Sequence, residues 1–415
     1  MRFFLVYYIV SIFMLANGAM FTWLFQILHF PVWRQAIWGV GLIYLFKYAR
    51  RTHSALLKKY LRDNAIFFYI VILLSLLTIL LEHFNIVRIV YAWWMYFSGL
   101  PFLLFPFVAT QEGWSESKVN YFFIGLGTFL SIGLIIDYMT GGMFTSMFLL
   151  QTSSDLSGLL ESGRYCFLSE APTTFGVYYA FCMVFCIRQL STESRTHRQL
   201  ILMFITLLYI LGAWFTGSRQ IVAVLLLVFL PGILWLFFKG KRNKIAFGVL
   251  FFILLSVVPA VKVFIFSDDS YQERYSSESV KEDIRYTYWE RGFRESITEA
   301  EPKRLLIGDA VAKSQGQKAK EGELTGSHYE NTFWSRMSEM GLVGLFMFCY
   351  PVIFLLKYMN YKLLDDLLIL AVMVVFLFIS YVSPNGIHQT SQMVLNLGLG
   401  LFMLNKDGLI PRKSI

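Results

Sequence analysis

Apolar runs long enough to cross a bilayer recur along almost the whole of this 415-residue chain. A hydrocarbon core takes roughly 17–25 apolar residues per helical crossing, and segments such as 65–81, 89–109 and 333–356 meet that length. Inside lipid the backbone must satisfy its own hydrogen bonds, which leaves helices or a closed barrel. Barrel strands alternate apolar and polar residues; the runs 65–81 and 221–238 do not alternate, so helices are expected. Composition agrees. Hydrophobic residues make up 57 % and charged residues 15 %, against about 25 % charged in a soluble domain. Aromatic residues reach 18 %, as in chains whose Trp and Tyr sit at membrane interfaces.

Hydropathy predicts twelve spans, at 3–25, 31–48, 65–81, 89–109, 121–140, 171–188, 199–216, 220–238, 245–266, 333–356, 367–383 and 388–404. The last is short and rich in Gly. The first resembles a signal peptide in position, but no small-residue cleavage site follows it and further spans do, so it is read as a helix. Their interiors read as nearly free of charge. With the N-terminus inside, the inner segments hold twenty Lys and Arg and the short outer ones hold four, Arg34, Arg88, Arg164 and Arg219. This bias places both termini in the cytoplasm. It also accounts for the net charge of +9 as topology and not as a nucleic-acid footprint.

That orientation divides the chain into a membrane region 1–266, a large outer loop 267–332, and a second membrane region 333–415. The loop carries ten basic and fourteen acidic residues, interspersed with Tyr271, Tyr275, Tyr286, Tyr288, Trp289 and Phe293. It therefore reads as folded. Residues 280–298 read as an amphipathic helix with Ile284, Tyr288, Phe293 and Ile297 on or near one face, and Arg285 and Trp289, spaced i and i+4, project together. Cys166, Cys182, Cys186 and Cys349 lack metal-ligand spacing and read as packing residues. No nucleotide-binding loop or cofactor motif is present, and no cofactor is expected.

The side expected to be outer gathers Arg164, Arg219, Arg285 and His328. An Arg at the end of a membrane helix is costly unless it is paired, snorkels, or lines an aqueous cavity. Arg219 lies in Thr216-Gly-Ser-Arg219, where Ser218 and the backbone donors of the turn meet the start of the next apolar run. A helix N-terminus joined to an Arg suits a phosphate; a snorkelling interfacial Arg is the alternative. Arg285 and Arg164, each taken alone, read as solvated residues, with further anion contacts as the alternative. His328 can act as a base near neutral pH, and Glu330 and Glu170 are carboxylate rivals. A reaction on the outer face without ATP needs an activated substrate. A lipid diphosphate sugar is one, and it calls for cations at the leaving group and a base at the acceptor hydroxyl.

These landmarks, taken in order, resemble the bacterial O-antigen polymerase and O-antigen ligase superfamily. Thr216-Gly-Ser-Arg219 followed by the run 221–230 resembles the family's Thr-x-Ser-Arg helix start. Arg285-Tyr-Thr-Tyr-Trp289 is similar to its Arg-xxx-Trp element, and Leu306-Ile-Gly308 to the glycine element that follows. His328-Tyr-Glu-Asn-Thr-Phe333 and Ser338-Glu-Met-Gly341-Leu-Val-Gly344 resemble the loop exit and next helix. Arg164 with Glu170, Pro172 and Gly176 resembles an earlier outer element. The resemblance implies a GT-C-like, all-α polytopic enzyme of the bacterial inner membrane with one large periplasmic loop. It implies an undecaprenyl diphosphate-linked oligosaccharide as substrate, membrane lipid around it, and a chain-length regulator and a flippase as partners. Arg219 and Arg285, with Arg164 in addition, would meet the diphosphate. His328 or Glu330 would be the base, with Ser218, Glu170 and Asn331 nearby. Ligases tend to carry His directly before the Asn of the exit motif. Here Glu330 precedes Asn331, which favours a repeat-unit polymerase over a ligase; a polysaccharide transporter is the third expectation.

Overall fold

The computed structural model describes residues 2–82, 86–150, 160, 163–218, 228, 232, 285–308, 311, 331–360, 363–382 and 389–407. The predicted spans 220–238 and 245–266 lie outside them, apart from residues 228 and 232. Among the described residues every regular element is helical. The helices are α1 (Arg2–Ala16), α2 (Gly18–Ile27), α3 (Trp33–Ala49), α4 (Ala55–Glu82), α5 (Ile86–Phe97), α6 (Phe105–Gln111), α7 (Glu116–Met139), α8 (Pro172–Thr192), α9 (Thr196–Phe215), α10 (Arg285–Phe293), α11 (Pro302–Ile307), α12 (Thr332–Tyr358), α13 (Leu364–Val382) and α14 (Gln389–Lys406). Six helical runs among them are long and apolar enough to cross a membrane: Ala55–Leu80, Ala92–Gln111, Glu116–Met139, Thr196–Phe215, Thr332–Tyr358 and Leu364–Tyr381.

The expected first span, 3–25, is not one straight helix. α1 and α2 meet at a 97° bend, which makes a seventh crossing if the pair is one span. Asn17 marks the break, its Nδ2 donating back to the Phe13 carbonyl at 2.9 Å. The next turn is held from outside the pair, because Ala19 N–H donates to the Leu168 carbonyl at 3.0 Å. A Cβ at Gly18 would lie 2.5 Å from the Glu170 carboxylate, so a larger residue there would displace that side chain.

The chain forms two compact units that interleave along the sequence. The first comprises 1–33, 108–283 and 360–375. Its centre is α8, buried along nearly its whole described length between α7 and α9. Phe123 of α7 stacks on Phe185 at 4.6 Å and meets Phe181 edge-on at 4.9 Å. Tyr209 of α9 donates to the Ile124 carbonyl at 2.6 Å. At one end of α8, Arg188 pairs with Glu116 at 2.8 Å and Asp365 at 3.0 Å, so this residue, counted as an inner-loop charge in the sequence, ties three helices together.

The second unit comprises 34–107, 284–359 and 376–415. Here α14 is the enclosed helix, buried from Gln389 to Leu404. It lies against the 3-10 turn Leu100–Leu104, and its small residues permit the close approach: a Cβ on Gly400 would fall 2.3 Å from the Leu103 carbonyl. Close backbone packing through glycine is a usual way for apolar helices to associate without a solvent-driven hydrophobic gain. This gives a reason for the glycine in the last predicted span. An apolar cluster of Phe67, Val71, Ala92, Phe97, Val311 and Met340 fills the space beside it.

Candidate functional site

In the first unit, Asp137 organises the element that carries Arg164 and Glu170. Its carboxylate is fully buried near the end of α7. Oδ1 accepts from the Phe144 and Thr145 N–H groups at 2.8 and 3.2 Å, and Oδ2 from the Thr145 hydroxyl and the Phe167 N–H at 2.5 and 3.0 Å. The Thr145 hydroxyl oxygen in turn accepts from Cys166 N–H at 2.8 Å. A buried carboxylate is tolerable when its lone pairs are met in this way. The same bonds hold Phe167 at a φ of 49°, an uncommon conformation for a residue with a Cβ. Burial, reinforced by the neighbouring Asp137 charge, pushes the Cys166 thiol well above its ordinary pKa, so it is an inert thiol.

This element meets the Thr216–Ser218 turn. Gly217 has a φ of 60°, and a Cβ there would lie 2.5 Å from the Gly163 carbonyl and 3.4 Å from Arg164 Cγ. The Thr216 hydroxyl donates to the Ala213 carbonyl at 2.6 Å and accepts from Ser218 N–H at 3.3 Å, closing the end of α9. Tyr138 packs on Phe215 at 4.3 Å and on Tyr165 at 5.2 Å. Two stretches singled out in the sequence, the Arg164 segment and the Thr-Gly-Ser-Arg motif, are therefore neighbours, with Arg164 half-buried and Ser218 buried. Glu170 packs instead against Gly18 at the α1–α2 bend. Arg219 lies outside the described residues.

In the second unit, Arg285 is the first residue of α10. Trp289, one turn on, packs against Tyr381 at 5.2 Å. Asn331 is fully buried and caps α12, its Oδ1 accepting from Phe333 and Trp334 N–H at 2.8 and 3.3 Å while Nδ2 donates to the Tyr381 carbonyl at 2.6 Å. Those bonds commit its side chain to fixing where α12 begins. His328 and Glu330 lie outside the described residues. The glycine elements at 306–308 and 338–344 interlock backbone to backbone. Gly308 (φ 74°) lies so near Glu339 and Met340 that a Cβ would sit 2.4 Å from their main chain, and Gly341 (φ 59°), at a kink within α12, meets Leu306 and Ile307 at 2.5 and 2.6 Å in the same sense.

The expected apolar face of residues 280–298 needs correction. Phe293 and Ile297 are exposed, whereas Gly292 and Ser296 are buried. A π turn over Arg294–Thr298 shifts the register after α10, and Gly292 faces inward because the Trp334 ring lies against it. Residues 280–284 lie outside the described set. A further point concerns the span interiors, expected to be nearly free of charge. α12 buries Arg336 and Glu339, paired at 3.0 Å; Tyr96 donates its hydroxyl to Glu339 Oε2 at 2.5 Å, and its ring lies 4.0 Å below the Arg336 guanidinium. Two opposite charges at i and i+3 inside an apolar run were the available signal for this pair, as was a lone Asp near the end of an apolar helix for Asp137.

Asp137→Asn tests the organisation of the first unit. An amide keeps one acceptor and loses the charge, and bonds to a charged group are each worth about 1.5–3 kcal/mol. The expected result is a segment loosened by about 2–4 kcal/mol and a Cys166 thiol that reacts with a small maleimide in the folded protein, where the parent does not. Equal protection of Cys166 in both proteins would refute the anchoring role of Asp137.

All four cysteines are free, and no three His, Cys, Asp or Glu side chains among the described residues are grouped as metal ligands would be. No protein-family model matches the chain, and no curated protein is significantly similar to it.

Proposed function

We propose that this protein is a polytopic glycosyltransferase of the bacterial inner membrane, with about twelve spans and a periplasmic loop at 267–332, that polymerises lipid-linked glycan repeat units. It would transfer the growing glycan from undecaprenyl diphosphate to the acceptor sugar of a new lipid-linked unit. Arg219, Arg285 and Arg164 would meet the diphosphate, and His328 or Glu330 would take the proton from the acceptor hydroxyl. The observation that supports this reading is the apposition of the Arg164 segment with the Thr216–Ser218 turn, since Arg219 directly follows that turn in the sequence. Cations close to a diphosphate stabilise the charge that develops as it leaves, and no nucleotide is consumed.

The test is reconstitution. Purified protein in bilayers, given matching undecaprenyl diphosphate-linked repeats, is expected to build a ladder of longer glycans. Failure to form a ladder beside an active control polymerase would overturn the proposal. A deletion strain separates the two branches of the resemblance. Loss of a polymerase leaves lipopolysaccharide capped with one repeat, whereas loss of a ligase leaves bare core and accumulated lipid-linked polymer.

A further inference from the structure

Arg336, paired with Glu339 in the second unit, borders a cavity of about 50 Å³ lined also by Tyr60, Asn64, Tyr96, Gln392 and Asn396 among others. We infer that this cavity is a bound-water site, holding ordered water that hydrates the Arg336 guanidinium among the packed helices of the unit. Three independent observations lead there. The first is size: one water needs ~10–15 Å³ of such space, so the cavity holds more than one. The second is an acceptor that the protein leaves over. Asn396 is 5 % exposed; its Nδ2 donates to the Gln392 carbonyl at 2.8 Å, while its Oδ1 is buried with no hydrogen-bond partner from the protein. Buried polar atoms in native proteins are met by protein or by ordered water. The third is the donor side. A guanidinium carries five N–H donors, of which Nη1 bonds Glu339 at 3.0 Å, and Arg336 lines the same cavity as Asn396.

The chemistry of the lining selects water over the alternatives. A lipid tail offers neither the donor that Asn396 Oδ1 needs nor acceptors for Arg336. A small anion would gain little from Arg336, whose charge the Glu339 carboxylate already neutralises at 3.0 Å. A water donates to Asn396 and accepts from Arg336 at once, and roughly three bonds per buried water is the usual pattern. The site is also structural in effect, because an ion pair inside an apolar unit is tolerable when its remaining hydrogen-bonding capacity is met. This inference is independent of the glycosyltransferase reading.

X-ray radiolysis of the full-length protein in bilayers tests it. Hydroxyl radicals form from water where it sits, so a side chain touching ordered water is oxidised even when buried, including when a scavenger quenches the bulk. Met340 lines the cavity and is 1 % exposed; Met183 and Met373 are equally buried elsewhere. With scavenger present, Met340 is expected to convert to its sulfoxide several-fold faster than Met183 and Met373. In Asn396→Leu, which fills the space and removes the acceptor, that excess is expected to be lost. A Met340 rate in the parent protein equal to those of Met183 and Met373 would overturn the inference, whatever the variant does. So would an excess that persists unchanged in a folded Asn396→Leu protein.

Discussion

Arg219→Ala is expected to abolish polymer formation while leaving the amount of membrane-inserted protein unchanged. Much of the physical case lies in the residues just before Arg219. Thr216 ends α9 by returning its hydroxyl to the Ala213 carbonyl. Gly217 takes a positive φ, and no larger side chain fits, because the Gly163 carbonyl occupies the place where a Cβ would be. The turn is thus rigid and brought against the Arg164 segment. If Arg219 meets the diphosphate, losing one donor to the developing charge costs on the order of 10²–10³ in rate, enough to erase a product ladder. Arg219→Lys is expected to restore little, since an ammonium cannot reproduce the two parallel bonds of a guanidinium to phosphate oxygens. Normal chain-length distributions with Arg219→Ala would exclude the role. Gly217→Ala offers a control of the geometry, with the same loss of polymer arising from displacement of the turn while Arg219 is retained.

The sequence carried the helices more readily than their interruptions and partners. Apolar runs mark where a chain must be helical, since lipid leaves the backbone no other partner, and the described helices from α3 to α9 and from α12 to α14 lie where such runs do. A window of averaged hydropathy cannot show that Asn17 and Gly18 break the first run. Both are small and uncharged, and the partners that meet the chain at the bend, Leu168 and Glu170, lie far along the sequence. The same averaging hid Arg336 and Glu339, whose mutual neutralisation lets them sit among apolar neighbours. The face of residues 280–298 was misread for a different reason. A 3.6-residue period assumes one helix type, and the π turn at Arg294–Thr298 breaks that assumption. For the candidate site, the motifs at 216–219, 306–308 and 338–344 could be read as strings. That Gly308 packs on the main chain of Glu339 and Met340, and Gly217 on that of Gly163, could not, because each contact joins backbone atoms across a sequence gap and depends on the absence of a side chain.

Glu339→Ala is expected to destabilise the second unit by about 3–5 kcal/mol, the usual consequence of stranding one member of a buried ion pair. Arg336 is 3 % exposed and Glu339 is 1 % exposed, so the abandoned guanidinium has no ready route to bulk water. Tyr96 loses the acceptor of its hydroxyl at the same time, although its ring still faces the cation. Glu339→Gln keeps an acceptor for Tyr96 and for Arg336 but removes the charge, and an intermediate loss is expected. Replacing both partners with apolar residues of similar volume, Arg336→Met with Glu339→Leu, is expected to recover most of the stability, because removing both charges also removes the desolvation penalty that the pair must overcome. The measurement is the fraction of monodisperse protein surviving a heating series, with parent, single and double variants in parallel. Single variants that melt with the parent would show that the pair contributes nothing. A double variant no better than Glu339→Ala would show that the loss comes from packing and not from an uncompensated charge. The location makes the result informative beyond stability. Glu339 and Met340 are the residues whose main chain Gly308 contacts, and α12 starts at the Asn331 cap that immediately follows Glu330. A change confined to the ion pair should therefore loosen the docking of α11 on α12 first, seen as faster proteolysis within 302–308, before the unit as a whole unfolds.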